Sequence, residues 1–198
     1  MKDELVFGVD WRDTRPDLDN KFLLTNNCLL YRTYLLLGEK EKAEKLKEKI
    51  NKLYWTDTHY RDYPGTDEWD TLGNALTILF DIAPPEYINA IFKKAEEFDT
   101  PYGYKLNSTT LPPKSKKETE VLARTNQFGV IWPFIHGFMI LASIKTGKKD
   151  IAERQFEKWN KIPGFYEFYD PLTGNGYGSS DQLWSAALYL RAYDATQK

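Results

Sequence analysis

The chain has 198 residues, a length typical of one domain, and its 27 basic against 29 acidic residues give a formal net charge of −2, which argues against a nucleic-acid partner. Its one cysteine and two histidines exclude an internal disulfide, a cysteine-based metal cluster and a zinc site built from several histidines, and no cofactor is predicted. Because no apolar run is long enough to span a membrane and residues 1–5 lack the basic-then-apolar order of a signal peptide, we expect a cytoplasmic protein with no membrane partner.

Helical periodicity dominates the chain and predicts hairpins in which a buried helix alternates with a charged one. Residues 22–37 are apolar on most faces, which predicts a buried helix, whereas 39–53 carry one apolar stripe among Lys and Glu, which predicts an outer helix. The same reasoning predicts helices at 69–82, 85–98, 129–146, 148–161 and 181–196, with short aromatic strand pieces near 165–169. Gly38 and Gly147 mark equivalent helix ends.

About seven helices in repeated αα-hairpins predict an all-α, single domain over residues 1–198. Two arrangements fit this pattern: an open solenoid, or a toroid with inner and outer rings of helices. The loops favour the toroid, because each outer helix is followed by a long loop rich in aromatic residues, at 54–65, 101–104 and 164–178. Aromatic residues make up 15% of the chain. Rings stack on sugars and carboxylates accept from sugar hydroxyls, so a small carbohydrate is the predicted partner.

Two segments near helix starts carry candidate functional residues. In Gly8–Asp13, an aspartate lies beside Trp11 and Arg12, which suits a general acid or a substrate clamp; the alternative is a carboxylate that caps the following structure. In 126–133, two amides and an indole precede Pro133, and these side chains are candidate functional residues. The alternative is that the segment is only a helix start with proline in its first turn. His136, one turn later, is interpreted as a core histidine.

The segment 164–174 contains the strongest candidate base. Glu167 is flanked by four aromatic residues, and partial desolvation there would raise its pKa toward the range useful for proton transfer. The alternative is a short strand with one exposed glutamate. In the next segment, Ser180 or Asp181 is expected to cap the last helix, while Tyr177 and Gln182 are candidates to reach the same rim. Cys28 is expected to be an inert core thiol.

Taken together, these segments resemble the six-hairpin (α/α)6 toroid glycoside hydrolases, which include trehalases, neutral invertases, glucosylglycerate and mannosylglycerate hydrolases and the glucosidase domain of glycogen-debranching enzymes. The resemblance lies in five segments, in the family order: Gly8-Val9-Asp10, Asp70-Thr71-Leu72-Gly73-Asn74, Asn126-Gln127-x-Gly129-x-x-Trp132-Pro133, Gly164-Phe165-Tyr166-Glu167-x-Tyr169-Asp170-Pro171 and Gln182-x-Trp184-Ser185.

The resemblance implies hydrolysis with inversion, with Asp10 as the general acid, Glu167 as the general base and Asp13 as an alternative acid. The residues that it places at the substrate are Trp11, Arg12, Asp70, Asn126, Gln127, Trp132, Tyr166, Tyr177 and Trp184. No metal or cofactor is needed. A complete ring has more helices than this chain, which resembles its second half. Four alternatives stay open: a fragment of a longer protein, a partner chain that completes the toroid, self-association of two copies, or an incomplete ring with a lesser role. Two other classes stay open: a non-catalytic carbohydrate-binding half-toroid, and a helical-repeat protein-interaction module.

Overall fold

The computed structural model describes residues 5–12, 15–107 and 129–197, and within these ranges the chain is mainly helical, as predicted. The described residues form seven α-helices and four short strands: α1 (Leu24–Leu36), α2 (Lys40–Tyr54), α3 (Thr71–Leu79), α4 (Ile88–Ala95), β1 (Asp99–Thr100), β2 (Gly103–Tyr104), α5 (Pro133–Lys145), α6 (Lys149–Trp159), β3 (Phe168–Tyr169), β4 (Gly176–Tyr177) and α7 (Leu183–Thr196). In this part of the chain, no helix is both long and apolar enough to cross a membrane.

The chain divides into two compact units, Met1–Lys94 and Ala95–Lys198. The single domain expected over residues 1–198 stays a prediction. In the first unit, α1 packs against α2 and α3. The apolar positions of α2 recur every three or four residues, and Ala43, Leu46 and Ile50 are buried on one face, as the periodicity predicts. Gly38 ends α1 with a φ of 76°, a left-handed conformation that glycine adopts without steric cost.

The outer part of α1 departs from the prediction of a helix buried on most faces. Leu36 and Leu37 are each 71% exposed, and Leu29 is 48% exposed. Only the side that carries Leu24, Thr25, Asn27, Cys28 and Tyr31 is buried. The apolar residues of this segment therefore predict more burial of α1 than the structure shows, because α2 and α3 cover a single side of the helix. Cys28 is fully buried, and burial raises the pKa of its thiol well above the usual value.

In the second unit, α5, α6 and α7 pack around a shared core. Its buried members are Ile131, Ile140, Ala152, Phe156, Trp159, Ile162, Tyr169 and Ala192. Pro133 is the first residue of α5, where its missing N–H costs no hydrogen bond, as expected. The antiparallel pair of β1 and β2 was not predicted, because strands of two residues are too short to show alternation.

Two further expectations concern the start of α7 and the position of His136. Ser180 and Asp181 do not cap α7: the N-cap residue is Gln182, and its side chain makes no capping hydrogen bond. Asp181 instead has a φ of 61° in the turn that precedes the helix.

His136 is a core histidine, as interpreted from the sequence, and it is fully buried. Its Nδ1 accepts a hydrogen bond from the backbone N–H of Tyr104, and its Nε2 lies 3.0 Å from the carbonyl oxygen of Gln155.

Candidate active site

In the first unit, a buried arginine joins two carboxylates that are distant in sequence. The Arg12 guanidinium donates from Nη1 and Nη2 to Asp62, over 2.7 and 2.9 Å. It also donates to Asp10, at 3.0 Å from Nε to Oδ1 and 2.7 Å from Nη2 to Oδ2. The side chains of all three residues are at most 1% exposed. The candidate acid is thus held in a fixed orientation by an ion pair that Asp62 shares.

Asp70 adds a third carboxylate to this cluster. Its Oδ2 accepts from the backbone N–H of Gly73, over 2.9 Å, and from the Thr25 hydroxyl, over 2.8 Å, so it caps the start of α3. Its Oδ1 is buried and has no hydrogen-bond partner among the described residues. The pKa of Asp70 is raised to about 6, mainly by burial; the charge of Arg12 lowers it, and the charges of Asp62 and Asp10 raise it.

These three carboxylates surround one guanidinium, so the cluster has more negative than positive charge. Burial lowers the pKa of Arg12, but the attraction of Asp62, Asp70 and Asp10 outweighs it, and the pKa lies well above the usual value. Arg12 and Asp70, which we expected to hold substrate hydroxyls, are therefore engaged within the protein, and their contact with substrate stays a prediction. Trp11 is half-buried beside this cluster in the sequence.

Three predicted site residues, Asp13, Asn126 and Gln127, lie outside the described residues. The assignment of Asp13 as an alternative acid, and of the two amides as substrate contacts, stays a prediction.

In the second unit, Glu167 is half-buried and held by one neighbouring residue. Its backbone N–H donates to the carbonyl oxygen of Ser179 over 2.8 Å, and the Ser179 N–H donates to its Oε2 over 3.1 Å. Among the described residues, no hydrogen bond reaches Oε1. One carboxylate oxygen is therefore fixed by the backbone, while the other is not held by any described residue through a hydrogen bond.

Aromatic rings from three elements meet beside β3. The indole of Trp132, just before α5, lies with its ring centroid 5.8 Å from Phe168 and 6.0 Å from Trp184. Phe168 stacks on Tyr177 at 6.0 Å with an interplanar angle of 14°. Trp132 and Phe168 are buried, whereas Tyr177 and Trp184 are 40% and 41% exposed. The structure thus brings together three predicted substrate contacts, Trp132, Tyr177 and Trp184, in one cluster.

Tyr166 is half-buried and borders this region through β4. Its backbone N–H donates to the Tyr169 hydroxyl over 2.8 Å, and that hydroxyl lies 2.9 Å from the carbonyl oxygen of Pro163. A Cβ added at Gly176 would collide with the Tyr166 ring, so the ring lies directly on the backbone of β4. These contacts fix the loop that carries Glu167.

Sequence reasoning missed two contacts of the candidate residues, one in each unit. Asp62 lies in the aromatic loop 54–65, next to Arg61, and no local pattern links it to Arg12, which is 50 residues away. The contact of Gly178 and Ser179 with Glu167 was also missed, although the two glycines that flank Tyr177 did signal an irregular turn.

No protein-family profile matches the chain. A mannosylglycerate hydrolase of Rubrobacter radiotolerans is 38% identical over 65 residues, which are 31% of this chain and 15% of the relative. A probable alkaline/neutral invertase of Arabidopsis thaliana is 30% identical over 139 residues, which are 63% of this chain and 28% of the relative. The chain thus spans less than a third of the length of these curated relatives.

Solved structures match a larger part of the chain. A mannosylglycerate hydrolase of Thermus thermophilus, in complex with Tris and D-glycerate, has a TM-score of 0.69 and 19% identity, and covers 93% of this chain and 49% of its own. The neutral trehalase of Saccharomyces cerevisiae has a TM-score of 0.67 and 16% identity, and covers 90% of this chain and 38% of its own.

Sequence and structure comparisons thus lead to the same group of proteins. The predicted resemblance is confirmed: the chain has the fold of the six-hairpin (α/α)6 toroid glycosidases, over about half the length of the matched mannosylglycerate hydrolase structure.

Proposed function

We propose that this chain is the part of an inverting glycoside hydrolase that carries both catalytic carboxylates, and that the substrate is an α-glucoside or a related small glycoside. The relatives are named as a mannosylglycerate hydrolase and an invertase, and the structural neighbours as a mannosylglycerate hydrolase and a trehalase. The observation that carries the proposal is the carboxylate of Glu167, which has one oxygen held by the backbone and the other open to a ligand.

In the proposed reaction, Asp10 protonates the oxygen of the leaving group. Glu167 takes a proton from a water molecule, and that water attacks the anomeric carbon from the opposite face of the sugar. Inversion requires the two carboxyl groups to be roughly 6.5–9.5 Å apart, so that the water fits between them. The partly exposed rings of Tyr177 and Trp184 would pack against the sugar ring, with the buried Trp132 supporting Trp184 from behind.

Asp62 has a defined part in this scheme. A general acid must be protonated before it acts, and Asp10 then no longer neutralises the buried guanidinium. Because Arg12 also donates two hydrogen bonds to Asp62, it keeps a second carboxylate partner when Asp10 carries the proton. An unpaired buried charge would cost several kcal/mol, and this second pair prevents Arg12 from being left unpaired at that step.

We further propose that a complementary half-toroid completes the sugar pocket, whether it comes from a second copy, from a partner chain or from a further part of the same polypeptide. The chain covers 49% of the matched mannosylglycerate hydrolase. In addition, apolar side chains on α1 and α7 are exposed, with Leu36 71% and Leu183 81% exposed. Apolar faces of this kind are typical of surfaces that pack against another protein segment.

The test is product formation from trehalose, sucrose, maltose, isomaltose, glucosylglycerate and mannosylglycerate, with the released anomer identified by NMR. We expect turnover of at least one substrate with inversion, and loss of turnover in Glu167→Gln, which keeps the size of the side chain but removes the base. Asp170→Asn, a change at another carboxylate of the same loop, is the control. Retained activity in Glu167→Gln would remove Glu167 from the mechanism.

The exposure of Tyr177 and Trp184 favours a second candidate, carbohydrate binding without turnover. Calorimetric titration with the same sugars separates the two candidates. Binding that Trp184→Ala weakens, together with no product from any sugar, would favour the binding role. Turnover that Glu167→Gln abolishes would favour the enzyme.

A further inference from the structure

The backbone at Gly178 lies directly against the side chain of Glu167. A Cβ built on Gly178 would collide with Oε2 and would lie 2.8 Å from Cβ and 3.1 Å from Cδ of Glu167. The neighbouring Ser179 N–H donates to that same Oε2. The carboxylate therefore rests on the backbone of residues 178–179, and only a residue without a side chain leaves space for it there.

The conformation of Gly178 is a second and independent reason for glycine. Its φ is 75°, in the left-handed region that residues with a Cβ rarely adopt. That φ turns the chain so that the N–H of the next residue points at Glu167. Ser179 also accepts from the backbone N–H of Glu167, so the two segments are tied together by both backbone groups of one residue.

We propose that Gly178 and the backbone N–H of Ser179 are positioning groups that set the orientation of the Glu167 carboxylate. This inference rests on the proposed role of Glu167 as the general base. The N–H fixes Oε2, and the absence of a side chain at 178 lets the carboxylate approach the backbone closely. Oε1 is thereby kept in one direction, toward the water that the base must activate.

A methyl group at position 178 would push the carboxylate away from this segment. The Glu167 carboxylate can rotate away, but its Cβ cannot, so the backbone of the loop must also shift slightly, and the hydrogen bond from Ser179 would be lost. A displacement of about 1 Å at a reacting group can reduce the rate on the order of 100-fold. Since none of the proposed sugar-binding rings is substituted, the larger effect is expected on kcat and the smaller one on KM.

Gly147 provides a matched control. Its φ is 74°, so Gly147→Ala introduces the same backbone strain as Gly178→Ala, but a Cβ there meets no atom within 4 Å. Both glycines lie in the second unit. A difference between the two variants therefore reports the contact with Glu167 and not the cost of forcing alanine into a left-handed conformation.

The experiment follows the Ser179 amide resonance during a pH titration of the ¹⁵N-labelled full chain. We expect this resonance to move with the ionisation of Glu167 in the unmodified protein and in Gly147→Ala. The movement should disappear in Glu167→Gln and shrink at least several-fold in Gly178→Ala. If Gly178→Ala does not fold, the comparison of the unmodified protein with Glu167→Gln still decides whether Ser179 holds the carboxylate. An identical titration in those two proteins would overturn the inference.

Kinetics give the second readout. In a chain that hydrolyses a glycoside, kcat should fall roughly 10- to 100-fold in Gly178→Ala and stay within about twofold in Gly147→Ala. Equal kcat values in a folded Gly178→Ala would contradict a positioning role. A chain with no activity on any glycoside would count against the proposed function alone, because the amide titration tests the position of the carboxylate without turnover.

Discussion

Asp70 and His136 are both fully buried, and burial acts on their pKa values with opposite consequences for stability. Burial raises the pKa of Asp70 to about 6, so folding favours its protonated form. Burial lowers the pKa of His136 to about 4, so folding favours its neutral form. Between pH 4 and 6, Asp70 is therefore more protonated in the folded protein than in the unfolded chain. Over the same range, His136 is less protonated in the folded protein than in the unfolded chain.

The stability contribution of Asp70 should fall as the pH rises from about 4 to about 6. Because its pKa is higher in the folded protein than in the unfolded chain, the ionisation of Asp70 lowers the free energy of unfolding. The contribution lost between pH 4 and a pH above 6 is up to about 3 kcal/mol. Asp70→Asn keeps an oxygen for the N–H of Gly73 and removes the charge, so this loss should be absent. Urea unfolding between pH 4 and 8 measures the effect as a difference between the variant and the unmodified protein.

The difference between these two curves cancels the opposite contribution of His136. Asp57→Asn, at an exposed carboxylate of the same unit, is the matched control and should follow the unmodified protein. A curve for Asp70→Asn parallel to that of the unmodified protein would mean that Asp70 stays ionised throughout this range.

Helix contacts depend on details that the periodic pattern does not contain. Periodicity predicted α2 and α6 well, since each has one apolar stripe among charged residues. It also predicted a helix at α5, but gave no reason for Gly137 in its interior, where glycine costs about 1 kcal/mol relative to alanine. The structure supplies the reason: a Cβ there would lie 2.9 Å from the Trp159 ring and 3.0 Å from Cβ of Leu188.

Gly137→Ala should therefore destabilise the protein by about 1 kcal/mol, even though alanine favours the helix. The overpacking penalty is typically 1–3 kcal/mol, and Cβ of Leu188 cannot move away by rotating a side chain. Thermal or urea unfolding measures the loss. In a Trp159→Phe background, where the ring is smaller, the same methyl group should cost less. A rise in stability in Gly137→Ala would show that helix propensity outweighs packing at this contact.

Exposed apolar side chains lie on helices of both units. On α7, Leu190 is 61% and Tyr193 46% exposed, and on α1 Leu36 is 71% exposed. Burying apolar surface contributes about 25 cal/mol for each Å², so covering these two faces would favour association substantially. At this scale, the coverage of 49% of a matched structure and the open helix faces support the same proposal, a complementary half.

Leu190→Glu should weaken association at least tenfold, because a charge on the apolar face of α7 must be desolvated when that face is covered. Sedimentation velocity over a range of concentrations measures the effect. Gln197→Glu, which adds the same charge at an exposed polar position that ends α7, should associate as the unmodified chain does. A chain that stays monomeric at every concentration would contradict completion by a second copy.

The sequence by itself determined the helical hairpins, the glycine turns at 38 and 147, and the ordered motifs that resemble the toroid glycosidases. These features are local, because periodicity and turn residues act over a few positions in the chain. The sequence also identified Glu167 as the candidate base, because aromatic residues flank it. The strands of two residues, the partial burial of α1 and the N-cap of α7 were not determined in this way, since each depends on what packs against the segment.

Only the tertiary structure decided how the candidate groups are held. Asp62 reaches Arg12 across 50 residues of sequence, and Ser179 reaches Glu167 across 12. A local pattern specifies which face of an element is apolar, but not which loop lies opposite it. The partners of a buried charge are set by long-range packing, because a guanidinium or carboxylate without water must be neutralised by whatever the fold brings within hydrogen-bonding distance.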